Sequence, residues 1–462
     1  MRSSVICFLM VVSGCISTVA MATKTIVAGK AASAGRRQLE LTTHKQQIFE
    51  HPELLASAET DSSGTFVFSF DISEIRSVTL NMGSYTLRFL IEPGDSVFLK
   101  LGNYVPLTRG QLYDPYFKPD IFLFVPEAGR SAVLNDNVLK FETWYDSLYQ
   151  SAMQTLIVSR NDSFTVAEWH KQFGSAPKST FFDRYKWYTS SSLYKMAYPY
   201  AKDSLIKLYF ASPEPDEENP AFWDAFNATF KPAMIEEGTN TLYQTMVEPI
   251  WKSDFRALHE AVKVFYGISN DAMTDLVILK GVYEVWYLFP DLQPMLEKLL
   301  NQATELIQDE NIRAIAGEML QELTAMMPAK PAPDVKLVNK HGFTLNLAKP
   351  GKYVLLGFVS PELLQCRRDF IIQDESAKKY GNRLIMANVV LHQPQKDFLE
   401  FDAAYKGSIQ FIYPDQPEKL ADKFRIKGLP QYYLIDPDGR IIATPRQGGL
   451  VQMFKKLETL YK

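Results

Sequence analysis

The sequence is poor in cysteine. Its 462 residues hold three, Cys7, Cys15 and Cys366, and the first two fall in an N-terminal segment that reads as an export signal. A chain trimmed of that segment keeps Cys366, alone or beside a lipidated Cys15, and forms no disulfide with itself. A block of like charge is also missing. Lysine and arginine number 49 against 53 acids, a net charge of -4, so the basic patch of a nucleic-acid or anionic-membrane binder is not expected. No internal repeat or low-complexity array stands out. His170 and His259 stand in sequence without a second ligand at metal spacing, so no metal is expected, and no cofactor.

What is present is an ordinary folded composition, 46% hydrophobic and 22% charged, in a chain too long for one core. Arg2 precedes the apolar run Val5–Val12, which is too short to span a bilayer and reads as an export signal. Ala20-Met21-Ala22 is a small-x-small cleavage site that would release a chain beginning at Thr23. Val12-Ser13-Gly14-Cys15 resembles a lipobox, in which Cys15 would carry lipid. A strand pattern begins directly after Thr23 and leaves no tether, so the soluble form in the periplasm or cell envelope is favoured over the lipoprotein.

The patterning predicts a multidomain α+β chain: signal 1–22, a small β-sandwich-like domain 23–107, an α-helical domain 108–328 and an α/β domain 329–462. In "ETDSSGTFVFSFD" Phe66, Phe68 and Phe70 recur with period two, and Ser63-Gly64 and Pro93-Gly94-Asp95 mark turns. An antiparallel sheet with a structural or docking role is expected. "LHEAVKVFYGI", "DLVILKGVYEVWYLF" and "AIAGEMLQELTAMM" have helical spacing, and all six tryptophans, at 144, 169, 187, 223, 251 and 286, lie among such segments. Aromatics of this kind fill bundle cores far more often than ligand clefts. Pro328, Pro331 and Pro333 then exclude helix and predict an extended joint. Beyond it, strand and helix patterns alternate, and Leu450, Met453, Phe454, Leu457 and Leu460 form one face of a closing helix whose Lys455, Lys456 and Lys462 are left to solvent.

Several pieces of this last region come in a telling order. "APDVKLVNKHGFTLNLAKPGKYVLLGF" leads into an apolar strand, "SPELLQCRRDF" turns into a helix, and Gly428-Leu429-Pro430 precedes "YYLIDPDGRII". The region resembles the thioredoxin-like superfamily, specifically its exported TlpA/ResA-like branch, and the layout of the whole resembles multidomain envelope proteins of that branch. The resemblance implies a Cys-x-x-Cys at the helix start, an attacking and a resolving cysteine, and a cis-proline at Pro430. Here Leu363 stands at the attacker's place and Cys366 at the resolver's. Gly357 replaces an acid, and Glu362 replaces a tryptophan, that active members often carry. A free cysteine in the first turns of a helix is ordinarily a small buried hydrophobe, and Arg367 and Arg368 read as its solvated face.

Leu363, Leu364, Leu429 and Pro430 are therefore expected to line a groove that binds another envelope protein or an extended peptide. One alternative is thiol–disulfide oxidoreductase activity in which Cys366 works with a partner's thiol. A second is small-molecule binding among the tryptophan-rich helices. Mass spectrometry of native exported protein should find an N-terminus at Thr23; an acyl group on Cys15 would overturn that choice.

Overall fold

The computed structural model describes residues 22–49, 52–108, 110–111, 117–160, 162–175, 178–391, 394–426, 428–445 and 449–460. Cys7, Cys15 and both readings of the export signal lie outside the described residues, as does Lys462.

Period-two burial builds the N-terminal region. In the strand Thr65–Ile72, Phe66, Phe68, Phe70 and Ile72 are buried while the residues between them are exposed. Eight strands form two sheets: β1 (Thr23–Ala32), β2 (Gln38–Thr43), β3 (Glu53–Glu59), β4 (Thr65–Ile72), β5 (Arg76–Asn81), β6 (Tyr85–Ile91), β7 (Ser96–Asn103) and β8 (Asp120–Leu123). Their orders are β4-β1-β7 and β3-β2-β5-β6-β8. Both sheets contribute to one hydrophobic cluster that includes Val27, Leu39, Phe68, Phe89 and Leu99. Gly29 permits the close approach, because a Cβ there would lie 2.6 Å from the Phe66 ring and 2.8 Å from the Leu99 carbonyl.

The expectation of a purely antiparallel sheet is corrected. β7 runs parallel to β1 and β8 parallel to β6. Alternation fixes which face is buried but not which strand lies alongside, and these pairs are joined by long crossovers rather than hairpins. β8 also comes from beyond residue 107, where helix was expected, and the first long helix starts at Arg130.

That helix, Arg130–Ser159, is seated on the sheet by buried polar groups. Its Gly129 N-cap has no side-chain cap. Asp95 supplies one from the start of β7: its carboxylate accepts from the Ser131 N–H and hydroxyl, both at 2.7 Å, and from the Ser96 N–H at 2.8 Å. One turn on, Asn135 exchanges two 2.7 Å bonds with the N–H and C=O of Leu90 in β6. The edge of β6 beyond its pairing with β8 thereby receives partners that no strand provides.

Ten further helices lie between Ser163 and Thr324 among the described residues. Trp169, Trp187, Trp223 and Trp286 are buried in their common core, whereas Trp144 and Trp251 are 41% and 55% exposed. Trp187 stacks on Tyr209 at 4.5 Å. The core also takes Ile48 and Phe49 from the segment after β2. Gln46 pins that segment by accepting from the Ile48 and Phe49 N–H groups, and Asn227 donates to the Gln47 carbonyl at 2.8 Å.

The proline segment is not a free joint. Ala329 N–H donates to Ile441 O at 2.7 Å, Ala332 N–H to Gly439 O at 2.8 Å, and Ile441 N–H returns a bond to Lys330 O at 2.9 Å. A proline-rich stretch is extended, and an extended backbone can pair with a neighbouring hairpin. The C-terminal region opens with a hairpin of β9 (Lys336–Val338) and β10 (Thr344–Asn346). Its main sheet holds β11 (Tyr353–Val359), β12 (Leu384–Val390), β13 (Gln410–Ile412), β14 (Gln431–Ile435) and β15 (Ile441–Ala443), in the order β13-β12-β11-β14-β15. β11, β12 and β13 are parallel, and β14 is antiparallel to β11. β11 is buried on both faces between two apolar clusters, as its unbroken apolar run requires. In the closing helix Leu450, Met453 and Leu457 are buried, but Leu460 is exposed because it sits in the last turn, past the sheet.

Burial alone would raise the Asp95 carboxyl. The bonds from Ser131 and Ser96 outweigh it, so its pKa lies below the ordinary 3.8. A depressed folded pKa gives stability that is complete above the unfolded value and is lost as pH falls through the folded one. Asp95→Asn should cost about 1–2 kcal/mol near neutral pH and flatten the acid limb below pH ~4. Denaturant titrations across pH test this, and superimposable acid limbs would refute it.

Candidate functional site

Strand β11 ends at Val359, and the helix Leu364–Tyr380 begins five residues on. In the loop between them, the Leu363 N–H donates to Ser360 O at 3.0 Å. Leu363 is the N-cap, extended (φ -77, ψ 128), with no side-chain cap bond. Cys366 is therefore the third helical residue. Its sulfur is fully buried and accepts from the Ser360 N–H at 3.5 Å. Leu363, where the resemblance would put an attacking cysteine, is thus the residue at the helix N-cap.

The sulfur's surroundings disfavour a thiolate. Burial pushes the Cys366 thiol up to about 11; the Ser360 N–H opposes this, and the nearby Asp369 carboxylate adds to it. Arg367 is turned away, donating from Nε to the Pro361 carbonyl at 2.5 Å. A nucleophilic cysteine needs the reverse, a partly exposed sulfur in an electropositive setting.

A buried polar chain runs beside the sulfur. Gln365 donates to Asp369 Oδ1 at 2.9 Å, the Tyr432 hydroxyl donates to Asp369 Oδ2 at 2.8 Å, Gln373 donates to the Tyr432 oxygen at 3.4 Å, and Asn388 donates to Gln373 at 3.0 Å. Burial raises Asp369 against the effect of these bonds, and burial followed by the Asp369 charge raises Tyr432. Gly357 is what makes room. A Cβ there would lie 2.0 Å from Asn388 Oδ1 and 2.9 Å from the Tyr432 ring. The space beside Gly357 is occupied by Asn388, and a buried carboxyl sits nearby at Asp369.

The other expected residues are divided between the two faces of the sheet. Leu363 packs on the cluster around Cys366, while Leu429 packs on the cluster on the opposite face. Leu364 is 64% exposed. The Leu429–Pro430 peptide is cis. Sequence reasoning missed Asp369, Gln373, Asn388 and Tyr432. Asp369 and Gln373 follow Cys366 by three and seven residues, on one helix face, and Asn388 interrupts an apolar strand. Those signals were readable.

A second candidate lies at the junction of the three regions. A cavity of about 840 Å³ has the outer face of the β5–β6 pair as one wall, with Thr79 and Arg88. Trp223 and Tyr283 come from the helices, and Gln431 and Tyr433 from β14. Arg88 also lines a neighbouring cavity of about 580 Å³, together with Glu142 and Asp224. Burial, ahead of a nearby acid, pushes Glu217 up to about 7, and Glu218 is raised by burial and by its hydrogen bond with Glu74. Arg76 bridges that pair, at 2.7 Å from Glu74 and 2.5 Å from Glu218. His170 bonds Tyr198 at 2.9 Å, and His259 faces Asp275 at 3.6 Å. Among the described residues no cluster of His, Cys, Asp or Glu has metal-binding geometry, and no helix is long and apolar enough to cross a membrane.

No protein-family model matches the chain, and no curated protein does. Solved structures do. The thioredoxin domain of a thiol–disulfide oxidoreductase from Bacteroides vulgatus is 20% identical over 29% of this chain and 99% of its own, with a TM-score of 0.24. A thiol:disulfide interchange protein from Bacteroides sp. is 19% identical over 29% and 91%, with a TM-score of 0.25. An exposed lipoprotein thioredoxin from Streptococcus pneumoniae is 25% identical over 28% and 98%, with a TM-score of 0.24. The C-terminal region is thioredoxin-like by its own topology: three parallel strands, an antiparallel hairpin on the central strand, and a cis-proline before β14.

The native protein should show no fast-reacting thiol with a disulfide reagent at pH 7–8, and one thiol per chain trimmed of its export segment after denaturation. Stoichiometric labelling within seconds in the folded state would contradict the burial and the raised pKa of Cys366.

Proposed function

We propose that this chain is an exported thioredoxin-fold protein that binds a protein or extended peptide in the cell envelope without dithiol exchange. The observation that carries the reading is Leu363 at the helix N-cap with Cys366 buried one turn behind it. Exchange needs a thiolate to attack a disulfide sulfur, and a second thiol to release the mixed disulfide. Leucine has neither a sulfur nor a proton to lose. A partly exposed Leu363 and a 64% exposed Leu364 instead offer apolar surface, and the backbone of Leu429 beside the cis-proline offers strand-like hydrogen bonds to an added segment. The export part rests on the N-terminal sequence pattern.

The monothiol alternative, Cys366 acting with a partner's cysteine, is disfavoured by the sulfur's burial and by Asp369 beside it. The small-molecule alternative takes a different form. The cavity of about 840 Å³ is lined by Trp223 alone of the six tryptophans, and by residues of the β and C-terminal regions as well.

Leu363→Asp tests the binding reading. Aspartate is a favoured N-cap residue, so the helix should be kept while the apolar rim becomes charged. Peptides selected by display against the wild type should lose about tenfold in affinity, the equivalent of losing roughly 1.5 kcal/mol of leucine burial. Unchanged affinity would place the binding surface elsewhere, and insulin reduction by the wild type that depends on Cys366 would refute the non-redox part.

A further inference from the structure

Among the described residues three arginines, Arg76, Arg88 and Arg425, line the larger cavity, and they differ in their partners. Arg76 is held by Glu74 and Glu218, and Arg425 pairs with Glu322 at 3.2 Å. Arg88 makes no ion pair among the described residues, and its Nε is buried without a hydrogen-bond partner. In β6, Leu87, Phe89 and Ile91 belong to the sandwich core. The period of two therefore turns Arg88 to the opposite face, toward the helices, where it lines both cavities.

A guanidinium keeps its proton at any physiological pH and cannot relieve burial by becoming neutral. The carboxyls that share its surroundings act on it only through space, without a salt bridge. Glu142 and Asp224 stand beyond ion-pair distance, and burial raises both of them toward the neutral acid, with Arg88 only partly opposing it. An unpaired buried donor costs free energy that an incoming anion would return. The rest of the wall describes that anion's body. Phe49 stacks on Tyr283 at 5.7 Å with 27° between the rings. Trp223 fixes its indole by donating to the Glu217 carbonyl at 2.8 Å, and Tyr287 completes an aromatic side. A volume of about 840 Å³ is that of a small-molecule site.

We propose that the junction cavity binds a small aromatic monocarboxylate, its carboxylate on the Arg88 guanidinium and its ring against Phe49, Tyr283 and Tyr287. A planar monoanion matches the guanidinium fork with two parallel hydrogen bonds. A phosphate dianion would bring a second charge among Glu142, Asp224, Glu217 and Glu218, which favours the carboxylate. This inference goes beyond the peptide-binding reading and does not depend on it, since the cavity and the Leu363 rim are separate surfaces.

The test is titration calorimetry on the purified full chain with 3-phenylpropionate, its uncharged amide, and 2-phenylethylphosphonate. The acid should bind, and the amide should bind at least about tenfold more weakly, the scale of a lost charge-assisted bond. The phosphonate should be the weaker of the two anions. Arg88→Gln should bring the acid down to the level of the amide, and Arg88→Lys should restore part of the difference. Tyr287→Ala, at a position 43% exposed, should weaken all three probes together. Equal binding of acid and amide, wild-type affinity in Arg88→Gln, or no saturation by the acid up to about 10 mM would overturn the proposal. Tighter binding of the phosphonate would overturn the choice of a carboxylate.

Discussion

The architecture hangs on the buried polar seam between the sheet and the helix Arg130–Ser159. Asp95 closes the helix start, and Asn135 closes the backbone of Leu90. Apolar packing alone would leave a 30-residue helix free to slide along the sheet, because one apolar face is much like another. Paired buried groups have one arrangement in which all of them are satisfied, and any shift leaves donors and acceptors stranded. The seam therefore sets a register between the first two regions. It also determines that the stretch of β6 next to Leu90 faces the helices across a gap, with Arg88 in that gap.

The same logic of satisfied burial governs the thioredoxin-like frame. In β11, Val354, Leu356 and Phe358 face one cluster, and Leu355 and Val359 face the other. Stability there comes from area removed from water on both sides, with Cys366 one of the buried residues. Beside Cys366 the interior is polar instead. Asn388 fills the space opened by Gly357, and Gln373 and Tyr432 complete a chain to Asp369. A carboxyl beside a buried thiol opposes its ionisation, so burial and the Asp369 carboxyl act on Cys366 in the same direction.

Much of this could be read from the chain. The alternation of Phe66, Phe68 and Phe70, the buried Cys366, the strand after Pro430 and the break at the prolines each follow from local rules of period, burial or φ. The direction of β7 and β8 could not be read, because a strand's own pattern does not name its neighbour. The docking of Ala329–Ala332 on the hairpin at Ile441 was hidden for a related reason: proline signals extension and not the edge on which the extension lies. Arg88 was invisible in sequence. One arginine in an alternating strand is ordinarily on the solvated face, and it becomes a site only because helices from elsewhere in the chain close over that face.

Strand β14 connects the two candidate sites. Tyr432 points into the cluster with Cys366 and donates to Asp369, while its neighbours Gln431 and Tyr433 line the junction cavity. Successive side chains of a strand alternate between faces, so the sites lie on opposite sides of one strand, directly after the cis-proline. Tyr433 is itself tied to the frame by its hydroxyl, which donates to Phe424 O at 2.6 Å. A molecule in the cavity would press on the same backbone that follows Leu429 and Pro430. Whatever occupies the cavity is thus held against the strand that also carries Tyr432 of the buried polar chain, and the three-region arrangement gives that strand a second wall that a lone thioredoxin-like domain would lack.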